Sequence, residues 1–76
     1  MNKNYKLIKA REDVLRVTQQ DFAAKIPMDK TAYGYKENGK RKIWIHEANK
    51  IINTLNQFAM EKGVDRTWEY DDIFLD

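Results

Sequence analysis

Residues 18–43 read TQQDFAAKIPMDKTAYGYKENGKRKI, from Thr18 to Ile43. Thr18 is a residue type that starts helices: its side-chain oxygen accepts a hydrogen bond from a free N–H of the first turn. Asp21, three residues on, completes a variant capping box. Phe22, Ala23 and Ile26 then form an apolar stripe at helical spacing. Pro27 brings no N–H to a helix ladder and restricts the residue before it, so the chain turns at Ile26-Pro27. Asp29 is a second N-cap, for a short helix over 30–37. Asn38-Gly39 ends that helix, because both residues tolerate the left-handed conformation of a C-terminal cap. Two helices joined by the three-residue turn Pro27-Met28-Asp29 form a helix-turn-helix.

The flanking sequence is also helical. Upstream, Leu7, Ile8, Val14 and Leu15 fall near one face of a helix over 4–15, with Arg11 beside them. Downstream, the loop Lys40-Arg41-Lys42 leads into a long helix over 45–62. Its core face is Ile45, Ala48, Ile51, Ile52, Leu55, Phe58 and Ala59, and Gly63 caps its C-terminus. A last short helix over 69–75 holds Tyr70, Ile73 and Phe74. Period-2 alternation is confined to Ile43-Trp44-Ile45, too short to support a sheet. The expectation is an all-α fold of five helices, one domain over residues 1–76.

Composition narrows the function. Seventy-six residues support one thin core. With no cysteine and a single histidine, His46, thiolate and multi-imidazole metal sites are not expected. Asp71, Asp72 and Asp76 lack the spacing of a calcium loop and read as a solvated acidic helix end. No nucleophile constellation is present, so the chain is not expected to be an enzyme, to hold a cofactor or metal, or to take a small-molecule substrate. No apolar run approaches the roughly 18 residues of a membrane span, and MNKNYKLIKARED lacks a signal-peptide stretch. No membrane partner is expected, and the expected location is the cytoplasm.

The net charge of +2 conceals a division. Residues 1–42 carry 11 Lys/Arg and 5 Asp/Glu, a net of +6, whereas residues 43–76 carry 3 and 7, a net of −4. The first part is basic enough to attract a polyanion. In a helix-turn-helix the second helix lies in the DNA major groove, and the first points its N-terminus at phosphates. Gln19 opens the first of these helices, within reach of backbone or a base edge. Lys30, Thr31, Gly34 and Tyr35 share the face of the second that points away from Met28 and Tyr33. Lysine can bond guanine O6 or N7, and threonine can meet a thymine methyl. Lys40, Arg41 and Lys42 suit phosphates, which supply affinity without sequence information. The expected contact set for double-stranded DNA is Gln19, Lys30, Thr31, Gly34, Tyr35, Asn38, Lys40, Arg41 and Lys42.

With Thr18, Gln19, Phe22, Ala23 and the run Glu37-Asn38-Gly39-Lys40, this stretch resembles the phage repressor and Cro family of helix-turn-helix proteins, the xenobiotic-response-element type. The ending Tyr70-Asp71-Asp72-Ile73-Phe74 is similar to that family's last helix, and the resemblance spans residues 6–75. It implies a lambda-repressor-like DNA-binding fold and a small transcription regulator of phage or mobile-element type. Such a regulator acts as a homodimer, or as a heterodimer with another regulator, on half-sites about 34 Å apart. It also implies an ion pair between Arg11 and Glu37. The alternative is two exposed charges, and an exposed pair would contribute at most ~1 kcal/mol.

Four features depart from the family pattern: Pro27 replaces a turn glycine, and Lys36 stands at a usually apolar position. Gly34 lies mid-helix at a cost of roughly 1 kcal/mol, and Met60–Glu69 is a long connection. Lys36 either snorkels past its neighbours or reports a rotated or shortened helix. Gly34 either admits a phosphate or partner, or is tolerated on the surface. Tyr33, Tyr35, Trp44, Trp68 and Tyr70 are expected mostly in the core, with any exposed remainder suited to a protein interface. These features define an alternative function, an anti-repressor or modulator that keeps the fold and binds another transcription regulator.

Overall fold

The computed structural model describes residues 3–75; Asp76, read above as part of an acidic helix end, lies outside them. The chain folds as α1 (Tyr5–Ile8), α2 (Gln19–Lys25), α3 (Lys30–Glu37), α4 (Ile45–Lys62) and α5 (Tyr70–Phe74), and α1 continues without a break into a π-helical segment, Lys9–Val14. There is no strand among the described residues. The all-α, five-helix, helix-turn-helix reading of the sequence is therefore observed.

The caps stand where the residue types place them. The Thr18 hydroxyl accepts from the Asp21 N–H at 3.1 Å, and the Asp29 carboxylate accepts from the N–H groups of Thr31 and Ala32 at 3.0 and 3.3 Å. The Met28 N–H closes the turn onto the Ala23 carbonyl at 2.7 Å, across a cis Ile26–Pro27 peptide. Of Asn38 and Gly39, only the glycine is left-handed, at φ 79°; Gly63 ends α4 at φ 69°.

The widened turn after α1 was not expected. The Leu15 N–H reaches back five residues to Ala10, and the Val17 N–H reaches Arg11. Arg16 then takes φ 56°, a region costly for a side chain with a Cβ. Bonds on either side hold it there, since the Arg11 guanidinium also donates to the Val17 carbonyl at 2.6 Å.

Leu7, Leu15, Phe22, Tyr33, Ile51 and Leu55 form the centre of the core, each at most 1% exposed. Phe22 of α2 lies 5.3 Å from the Tyr33 ring of α3 and 5.9 Å from the Phe58 ring of α4, so one side chain joins three helices. Two expectations are corrected. Ile45 is 70% exposed rather than part of the core face, which begins one turn later at Ala48. Of the five aromatics assigned mostly to the core, Tyr33 and Trp68 are buried, whereas Tyr35, Trp44 and Tyr70 are exposed.

The long connection between α4 and α5 is anchored by Trp68. Its backbone is held by the Asn56 side chain in both directions, at 2.7 and 3.0 Å. The buried indole thus gives this connection its own packing.

Candidate nucleic-acid interface

The outer face of α3 is built by what its inner face buries. Tyr33 points into the core and is 0% exposed. At helical spacing this turns Thr31 and Tyr35 outward, and both are exposed; Lys30, one turn before Tyr33, is exposed because it opens the helix. Gly34 is half-buried. A Cβ built there would meet the Gln19 side chain at 3.5 Å, an ordinary contact, so the spacing between α2 and α3 does not require glycine.

Behind this face lies a buried polar network. The Glu37 carboxylate accepts from Arg11 Nε at 2.8 Å and Nη2 at 2.9 Å, from Gln19 Nε2 at 2.9 Å and from the Tyr33 hydroxyl at 2.7 Å. The Arg11–Glu37 pair implied by the family resemblance is present, but it is buried rather than exposed: the side chains are 6% and 1% exposed. The energetics change accordingly, because a buried charge left unpaired is far costlier than an exposed one.

Gln19 stands apart from the expected contact set. It is half-buried and its amide is committed to Glu37, so its place in the structure is between α2 and the end of α3. Asn38 is also half-buried, and its N–H closes onto the Gly34 carbonyl at 2.9 Å.

Burial by itself would raise the Glu37 pKa. The hydrogen bonds from Arg11, Gln19 and Tyr33 outweigh it and hold the carboxyl below its ordinary value. For Tyr33, burial and the Glu37 carboxylate act together and push the phenol up. A depressed carboxylate stabilises the fold fully above its unfolded pKa of about 4.3 and loses that contribution as pH falls through the lower folded value. We expect the urea midpoint, followed by far-UV circular dichroism, to hold down to about pH 5 and fall below about pH 4. Glu37→Gln is expected to flatten that acid limb. An unchanged limb would assign acid sensitivity to other carboxylates.

A second ion pair joins α3 to α4. Lys36, 10% exposed at its side chain, donates to the Glu47 carboxylate at 2.8 Å and to the Lys42 carbonyl at 3.0 Å. The same Glu47 oxygen accepts the Trp44 N–H at 3.0 Å, at the N-terminus of α4. Burial would raise the Glu47 pKa, but Lys36 and the Trp44 N–H hold it below the ordinary value. Lys36 therefore reaches past its neighbours to a defined partner, and α3 keeps its eight residues.

The sequence's charge division also changes in meaning. Lys25 and Lys36 of the basic part pair with Glu61 and Glu47 of the acidic part. The cations of the loop lie elsewhere: Lys40, Arg41 and Lys42 are exposed. Lys40 and Arg41 lie over the Tyr35 ring, 5.6 and 5.3 Å from its centroid, and Lys42 lies 4.6 Å over the Trp44 ring. The N–H groups of Lys40 and Arg41 return to the Tyr35 carbonyl at 2.8 and 3.2 Å, fixing the loop to the end of α3. The result is a basic and aromatic ridge made of two cation–ring groups, Tyr35 with Lys40 and Arg41, and Trp44 with Lys42, joined through the loop backbone. The sequence reading selected its cations and Tyr35 but not Trp44; the signal it carried was an indole directly after three cations.

The fold and this face define an all-α helix-turn-helix with a basic outer ridge. A protein of Mycoplasma sp, control protein C.MunI, is 41% identical over 46 residues, covering 60% of this chain and 62% of that protein. The chain thus spans less than two thirds of the length of the curated relative it matches. No family model matches, and no solved structure matches. Among the described residues, no helix is long and apolar enough to cross a membrane, and no group of three His, Cys, Asp or Glu residues is placed to hold a metal.

Proposed function

We propose that this chain is a transcription regulator that binds double-stranded DNA through its helix-turn-helix, as a homodimer or with another regulator of the same kind. The observation that carries the reading is the exposure of Lys30, Thr31 and Tyr35 on α3 beside the exposed loop Lys40-Arg41-Lys42. In this reading α3 enters the major groove, Lys30 and Thr31 meet base edges, and the loop meets phosphates. Similarity to a protein named as a control protein supports a regulatory role. Gln19 acts here from behind, holding α2 to α3 through Glu37.

The alternative, a modulator that binds a partner regulator in place of DNA, draws on Lys36, Gly34 and the extra aromatics. Lys36 has its partner within the chain, and Gly34 faces Gln19, so these two residues no longer argue for it. The exposed cations argue for DNA.

The test is fluorescence anisotropy with genomic duplex fragments over a range of salt. Binding should be tight at low salt, with log K falling by about 0.9 per phosphate contact for each tenfold rise in salt. Lys30→Ala and Tyr35→Ala should relax sequence discrimination by about 1–3 kcal/mol, whereas Arg41→Ala should weaken all sequences alike. If no fragment binds better than random DNA, the proposal fails.

A further inference from the structure

Trp44 is 54% exposed at the N-terminus of α4, although an indole is among the side chains with most to gain from burial. Its position is fixed from two sides. Its N–H is held by Glu47, which Lys36 ties to α3, and Lys42 lies over its ring. Two cation–ring groups stand next to each other in the loop, Tyr35 with Lys40 and Arg41, and Trp44 with Lys42. The carboxylate nearest in the chain, Glu47, is already satisfied by Lys36 and the Trp44 N–H. The ridge is therefore cationic around an apolar plate.

We infer that Trp44 is a direct DNA contact, with its indole face laid against the deoxyribose of the strand whose phosphates the Lys40-Arg41-Lys42 loop holds. This rests on the proposed DNA-binding reading and adds to it a contact that the charges alone do not supply. The loop cations bring a sugar-phosphate backbone to this surface, and between its phosphates that backbone offers apolar sugar. A flat, exposed, pre-oriented ring beside the cations matches it at little conformational cost. A second protein chain on the ring would bury Lys42 and its neighbours without a stated anion to pair them.

The contact is apolar, which gives it a signature distinct from that of its neighbours. Trp44→Ala should weaken duplex binding about fivefold to tenfold, similarly for all sequences, and leave the slope of log K against log salt unchanged. Lys42→Ala should lower that slope by about 1. Trp44→Phe, which keeps a ring under Lys42, should fall between wild type and Trp44→Ala. Indole accessibility supplies an independent readout, because Trp68 is buried and Trp44 is not. Acrylamide quenching of the wild type should drop on adding duplex DNA, and that drop should vanish in Trp44→Phe.

A change of less than twofold in Trp44→Ala overturns the inference while leaving the DNA-binding reading intact. So does a lower salt slope in Trp44→Ala, which would mean that the ring acts by orienting Lys42. Protection of the indole by rising protein concentration without DNA would place a second copy of the chain there and also overturn it. Failure of the wild type to bind any duplex at low salt refutes the DNA-binding reading itself, and this contact with it.

Discussion

Glu37→Ala is expected to cost about 3–5 kcal/mol of stability, the loss found when one partner of a buried ion pair is removed. A chain of this length has about 4–11 kcal/mol in total, so the variant stands close to unfolding. The size of the effect follows from what is left behind. Arg11 loses both bonds to the carboxylate while its side chain is 6% exposed, and the ionic partner it keeps is the longer 3.5 Å contact with the exposed Glu12. The Gln19 amide and the Tyr33 hydroxyl lose their acceptor at the same moment. Thermal unfolding should show a midpoint lower by more than about 10 °C. The exposed pair Lys25–Glu61, with side chains 29% and 48% exposed, provides the contrast. Glu61→Ala should cost at most ~1 kcal/mol. Glu37→Met should be as damaging as Glu37→Ala, and adding Arg11→Met should recover much of the loss, because the double variant buries no unpaired charge. A Glu37→Ala loss as small as that of Glu61→Ala would show that Arg11 finds solvent, and that the network is not what holds the π-helical segment to α3.

That network also shows how much of the molecule could be read from the chain. Local chemistry placed the helix boundaries: Thr18 and Asp29 accept from first-turn N–H groups, and Gly39 and Gly63 take the left-handed turns. These signals act within three or four residues and survive in any tertiary context. The errors arose where burial depends on what lies across the molecule. Ile45 has the spacing of a core residue, but at the first position of α4 it lies beyond the body that the stripe packs on. Arg11 and Glu37 were paired by resemblance, yet their depth is set by Tyr33, Gln19 and Val17 closing around them. The π-helical segment has no side-chain cap to announce it in the sequence. In the candidate site, the loop cations and Tyr35 were legible from charge and helical phase. The bond from the Gln19 amide to Glu37 was not legible, because one amide can face outward or inward to a carboxylate 18 positions away, and only the fold decides. Trp44 was expected mostly in the core, because sequence patterning counts indoles as apolar mass, and it is exposed.

Phe22→Ala should be comparably severe, at about 3–5 kcal/mol. The cost of deleting a large core side chain depends on whether its neighbours can move into the space. Here they are restrained. Tyr33, 5.3 Å away, is held by its hydroxyl to Glu37, and Phe58, 5.9 Å away, belongs to the 18-residue helix α4 and is covered on its outer side by Lys25 at 4.7 Å. The void therefore persists, and the loss should lie in the upper part of the range. Phe22→Leu, which keeps most of the volume, should cost about 1–2 kcal/mol. Urea unfolding of the two variants measures the difference. Equal, small losses would mean that α2 settles onto α3 and α4. The effects of Phe22→Ala and Tyr33→Phe should not add, because the second frees from Glu37 the ring on which Phe22 packs. Phe22 therefore shares the setting of α2 against α3 with the Gln19–Glu37 bond. Where Phe22→Ala remains folded, at low temperature, the proposed DNA affinity should fall further than the folded fraction accounts for, although no exposed residue has been changed. Affinity that tracks the folded fraction alone would instead assign the α2–α3 angle to the Glu37 network and leave Phe22 a role in stability only.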